Sequence, residues 1–148
     1  MGLEDLIQIQ TMLINYQDIF GHVYNNVLTG AVIIDFNGNI LSSTKGISIQ
    51  REEVKKLKEL FDQEFNEFTW IKLGGKKFII IHYERSKHAY LAYHNFGATV
   101  AKTKNYYIIG FYDTQKTFLY DGKKLPQCVG MCNTVVEETA KKLICYGF

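Results

Sequence analysis

The sequence predicts an α+β fold: a central antiparallel sheet of about six strands, flanked by N- and C-terminal helices, with a short helix after the second strand. Three observations predict it. Runs of strand length recur through the middle of the chain and are joined by Asn-Gly, Gly-Gly and other short polar turns, which suits antiparallel pairing. Both ends carry apolar residues at helical spacing. Ten Tyr and ten Phe among 148 residues suit a pleated sheet, on which aromatic rings pack well.

The elements follow in order. Leu3, Leu6, Ile7, Leu13, Ile14 and Ile19-Phe20 recur near a 3.6-residue period, so Leu3 to about Val23 reads as a helix that fails at Gly21. Val27–Phe36 is a continuous apolar run and reads as a buried strand. Asn37-Gly38 is a hairpin signal, because both positions tolerate positive φ, and Asn39–Ser43 is the returning strand. Ser48 can cap a helix over Arg51–Gln63, with Val54, Leu57, Leu60 and Phe61 facing inward. Phe68–Leu73 and Lys77–Glu84 flank Gly74-Gly75 as a second hairpin. Ala89–His94, Gly97–Ala101 and Tyr106–Tyr112 complete the sheet. A last helix runs from about Cys132 to Cys145, with Lys141 and Lys142 suited to the negative end of its dipole.

Size, charge and cysteine usage bound the function. A chain of 148 residues, 47% hydrophobic and 22% charged, is expected to be one globular domain spanning 1–148. A net charge of +2 gives no footprint of nucleic-acid binding. No apolar window is long enough to span a bilayer, and Glu4-Asp5 stand where a signal peptide needs basic residues. Three cysteines suit a reducing compartment, so a cytoplasmic location is expected.

The same residues argue against catalysis. There is no nucleophile elbow, phosphate-cradling Gly-rich loop or His-Glu-x-x-His. Cys128 and Cys132 are too few for zinc, and Cys132 and Cys145 read as small buried hydrophobes. His82, His88 and His94 are regularly spaced, but turns intervene. No cofactor and no metal site are expected, and the protein is expected not to be an enzyme.

Several segments together resemble the profilin family. They are Leu28-Thr29-Gly30-Ala31-Val32-Ile33-Ile34, Leu73-Gly74-Gly75-Lys76-Lys77-Phe78, Tyr106-Tyr107-Ile108-Ile109-Gly110-Phe111-Tyr112-Asp113, and a final helix that begins near Cys132-Asn133 and stops at Gly147-Phe148. The resemblance implies a profilin-like monomer that binds actin or an actin-like protein and regulates filament nucleation and elongation. Carried over by position, the implied actin face comprises Phe68, Lys77, Ile80, His82, Asn133, Glu137 and Glu138. Lys77 stands where the family uses a basic residue, and Asn133 matches an Asn at the helix start that can cap it or point to the partner.

The departures from the family are as informative. Its proline-rich-peptide platform falls near Thr11, Ile14, Leu41 and Lys142, none of them aromatic; Phe148 remains and Tyr16 lies close enough to substitute, so ordinary proline-rich binding is not expected. Phosphoinositide binding is expected to be weak as well. Lysines such as Lys76, Lys77, Lys102, Lys104, Lys141 and Lys142 are spread along the chain, and Tyr90, Ala92 and Tyr93 replace frequent basic residues. The chain begins about eight residues before the family's usual start, and the N-terminal helix is expected to extend over about 1–10. Residues 114–131 form a long connector in which Phe118, Leu119, Tyr120, Lys123 and Lys124 suggest a partner-binding loop with a hairpin tip at Asp121-Gly122. These features resemble a divergent, archaeal-type profilin. The general look of a sheet flanked by helices is also that of roadblock and longin modules, which dimerise and bind small GTPases.

Overall fold

Among the described residues, thirteen segments of regular structure follow one another. The strands are β1 (Tyr16–Gln17), β2 (Val23–Asn25), β3 (Gly30–Asp35), β4 (Ile40–Ser43), β5 (Trp70–Leu73), β6 (Lys76–Glu84), β7 (His88–Tyr93), β8 (Phe96–Lys102), β9 (Tyr106–Asp113), β10 (Thr117–Tyr120) and β11 (Lys123–Pro126). The helices are α1 (Arg51–Asp62) and α2 (Val129–Cys145). The computed structural model describes residues 13–18, 20–44, 46–62 and 69–148. Among these, seven strands form one antiparallel sheet in the order β4-β3-β9-β8-β7-β6-β5, and four form a smaller sheet in the order β1-β2-β10-β11.

Both faces of the large sheet carry a helix. On one, α1 brings Val54, Leu57, Leu60 and Phe61 against Val32, Ile34, Leu73, Phe78, Leu91, Val100 and Ile109. On the other, α2 brings Cys132, Val135, Val136 and Leu143 against Ala31, Ala101, Ile108 and Tyr112, and Leu13, Tyr16 and Phe118 close the margin of this second core. Helix and sheet approach closely over Gly110, where an added Cβ would stand 2.5 Å from Val136 Cγ2.

Three expected elements are corrected. The helix expected over Leu3–Val23 continues no further than Leu13–Ile14 among the described residues, and its proposed extension over 1–10 lies outside them. Asp18 breaks it: its carboxylate accepts from the Phe20 and His22 backbone N–H groups at 2.9 Å each, turning β1 back on β2. Helix α1 is not capped by Ser48. Glu53 reaches back to the Gln50 backbone N–H at 2.9 Å, as the acidic half of a capping box does. Helix α2 starts a turn early, with Cys128 at its N-cap, so Asn133 lies inside the helix.

The turns decide where strands begin and end. Gly74 (φ 60°) and Gly75 (φ 79°) both occupy left-handed space, which a two-residue hairpin of the type I′ kind requires. At Asn37-Gly38 only Gly38 is left-handed, and the Asp35 carboxylate organises the loop by accepting from the Asn37 and Asn39 backbone N–H groups. The 114–131 connector is largely ordered as the β10–β11 hairpin. It pairs through β10 with β2 and is tied down by the buried Gln127, which donates to the Asn26 carbonyl and accepts from Thr29 and the Asp113 N–H. No helix among the described residues is long and apolar enough to cross a membrane.

Candidate functional site

Among the described residues, helix α2 covers β8 and β9 and meets β7 through Glu137, leaving most of the same face of β5–β7 without a covering element. Side-chain alternation then decides what that open face presents. In β5, Ile71 and Leu73 point into the α1 core, so Trp70 and Lys72 point to the open side. Register places Trp70 opposite Ile79, Lys72 opposite Lys77, and Ile79 opposite Ala92. The result is an apolar patch with a basic margin. Trp70 is 49% exposed and Ile79 50% exposed, and the Lys77 ammonium rests 4.4 Å from the centre of the Trp70 ring. This stacking holds the charge beside the apolar surface.

A β-bulge between Ile80 and His82 changes the parity of β6. Regular alternation from Phe78 would send both Ile80 and His82 into the α1 core. Ile80 does pack there, which removes it from the expected face, and Ile79 takes its place. After the bulge His82 stands opposite Tyr90, on the α2 side. Its ring lies 5.2 Å from Tyr90 and 5.3 Å from His88, and the His88 and Tyr90 rings stack at 4.7 Å.

Glu137 of α2 gathers this cluster. Its Oε1 accepts from the Tyr90 hydroxyl at 2.6 Å and from His88 Nδ1 at 2.9 Å. Burial, then the Glu137 carboxylate, pushes the Tyr90 hydroxyl up to about 12. One turn earlier, the Asn133 Oδ1 accepts from the buried Thr99 hydroxyl at 2.5 Å, so its side chain is committed to the sheet rather than to capping. Glu138 lies on a different flank of the helix. There its charge, second to burial, raises the Tyr16 hydroxyl above its usual range. Phe68 lies outside the described residues.

Lys77, His82 and Glu137 thus come together on one surface, and Trp70, Ile79, His88 and Tyr90 join them. The alternation of Trp70-Ile71-Lys72-Leu73 in the sequence already separates Trp70 from the buried Ile71 and Leu73. The bulge has no comparable signal in the sequence.

The other expected sites fare differently. The β10–β11 hairpin does not project as a free loop: Phe118 is buried, and Tyr120 stacks on Tyr24 at 4.6 Å. Leu119, Lys123 and Lys124 are exposed. Ile14, Tyr16 and Phe148 pack into the second core, with Tyr16 only 9% exposed, while Leu41 on β4 is not part of that cluster. No flat aromatic platform forms from these four. The lysines are dispersed, with Lys76 over Phe96 and Lys102 over Phe36. Cys132 is buried, and burial pushes its thiol up to about 12, whereas Cys145 is exposed, contrary to expectation.

A family model described as Profilin matches residues 15–148. Profilin IB of Acanthamoeba castellanii superposes with a TM-score of 0.68 at 20% identity, covering 82% of this chain and 89% of its own. Profilin of Schizosaccharomyces pombe gives 0.65 at 22% identity, covering 82% and 88%. LokiProfilin2, in a complex with rabbit actin, gives 0.68 at 16% identity and covers 98% of both chains. At these identities the likeness is one of fold.

Proposed function

Since the chain belongs to the profilin family, we propose that it binds an actin or actin-like monomer through the open face of β5–β7 and the adjoining turns of α2. Profilins are a non-enzymatic, actin-binding family, and the chemistry of this face agrees with recognition rather than catalysis. The observation that carries the reading is the Trp70–Ile79 patch with Lys77 stacked at its margin and Glu137 beyond it. An exposed Trp inside an apolar patch rimmed by charge is the composition of an interface centre. The actin complex of LokiProfilin2 supports the same partner class. Acting as a monomer, the protein would occlude one end of the subunit, suppressing nucleation while leaving the complex able to add to a growing filament end. The roadblock or longin alternative loses ground to the family match. Proline-rich binding is not proposed, since its platform is not assembled.

Affinity for monomeric actin tests the face. A standard interface buries about 1,600 Å² in total, within which a central Trp is worth about 2 kcal/mol, so Trp70→Ala should weaken binding roughly 30-fold. Lys77→Glu should weaken it several-fold and more steeply at low salt. Lys104→Glu, in the β8–β9 turn, should leave it unchanged. Equal affinities for all variants would refute the proposed face.

A further inference from the structure

We propose that His82, Glu84 and His88 form a binding site for a divalent transition-metal ion, zinc by the character of the donors. The hairpin brings them together. Glu84 and His88 are directly paired across β6 and β7, and the bulge turns His82 toward the same side. One ligand atom from each residue lies within 4.8 Å of the others. Ligand atoms around a tetrahedral zinc stand about 3.3 Å apart, so rotation of the exposed His82 and Glu84 side chains closes the site. Two imidazoles and a carboxylate leave a fourth position for water.

The arrangement of His88 is what favours a metal. Its Nδ1–H donates to Glu137 at 2.9 Å, and the ring is locked by stacking on Tyr90 with 4° between the planes. With the proton on Nδ1, the lone pair is on Nε2. That nitrogen is buried and has no hydrogen-bond partner among the described residues, while Glu84 Oε2 stands 3.5 Å away. A carboxylate facing an imidazole lone pair calls for a cation between them. A carboxylate behind the other ring nitrogen is the support that metal-ligating histidines ordinarily have. Lys87 holds Glu84 Oε1 at 2.9 Å, which leaves Oε2 toward the cluster. The competing occupant is a proton on His88 Nε2, bridging Glu84 and Glu137.

Metal binding by the untagged chain, with no partner present, decides between them. Zinc affinity is read by competition with a chromophoric chelator, and Co²⁺ serves as the spectroscopic probe. One equivalent should bind with a Kd of about 10 μM or tighter. His82→Ala and His88→Ala should each weaken it by at least ~100-fold. Glu137→Gln, which acts through His88, should weaken it about 10- to 100-fold. The double variant Cys128→Ser/Cys145→Ser should leave it unchanged. His82 and Glu84 are exposed, so His82→Ala and Glu84→Gln keep the fold and remain informative if His88→Ala does not. No binding at about 100 μM metal, binding that survives His82→Ala, or binding lost with the two cysteines would overturn the proposal.

Discussion

Glu53→Ala should unfasten the hairpin that carries the binding face. Glu53 is only 5% exposed, and its carboxylate accepts three backbone hydrogen bonds: from Gln50 at 2.9 Å and Gly74 at 3.1 Å on Oε1, and from Gly75 at 3.1 Å on Oε2. One side chain therefore joins the start of α1 to the β5–β6 turn between Trp70 and Lys77. Hydrogen bonds to a charged group contribute about 1.5–3 kcal/mol each. The N–H groups of the exposed Gln50 and Gly75 can be rehydrated after truncation, that of the half-buried Gly74 only in part, so the net loss should be about 3 kcal/mol. For a chain of this length that corresponds to a fall in Tm of about 6–12 °C. Urea and thermal unfolding would measure it, and hydrogen exchange at Gly74 and Gly75 would locate it. Glu53→Gln keeps the shape but turns an amide N–H toward the donors, and should fall between the two. A loss below about 0.5 kcal/mol for Glu53→Ala would refute the reasoning.

Two further predictions follow from packing and charge. Gly110→Ala should cost about 1–3 kcal/mol, because the new methyl meets Val136 at 2.5 Å and Leu28 at 2.9 Å. Adding Val136→Ala should recover part of the loss, and additive effects would contradict the contact. Tyr90 holds its proton up to about 12 in the folded chain but loses it near 10 when unfolded, so its contribution to stability is complete below pH 10 and is lost as pH rises to about 12. Tyr90→Phe should remove that component of alkaline destabilisation, which unfolding at a series of pH values would reveal.

The hairpins, the α1 helix and the final helix were legible because local chemistry agrees with the global fold: Gly74-Gly75 needs its turn, and Val54, Leu57 and Phe61 need one helix face. The N-terminal helix was over-extended because periodicity in Ile14–Phe20 outweighed Asp18, whose side chain can turn the backbone by accepting from N–H groups two and four residues on. Resemblance pointed to the strands after the Gly74-Gly75 turn, but it could not say which of their side chains share a face. Ile80 and His82 share a parity in sequence and part company at the bulge, which no residue type announces. Asn133 was misplaced for a related reason. Val129-Gly130-Met131 is a poor advertisement for a first helical turn, yet α2 begins there and moves Asn133 inward onto Thr99. The pairing of His88 with Glu137 joins positions far apart in the chain and is visible only in the fold.

The most direct test of the actin reading uses the single tryptophan. Replacing Trp70 with 5-fluorotryptophan gives one fluorine NMR signal, at the centre of the proposed face. Addition of monomeric actin should shift or broaden that signal in a saturable way, and Lys77→Glu should weaken the titration. Saturable actin binding that leaves the Trp70 signal unmoved would contradict the face, and no binding of any actin would contradict the function.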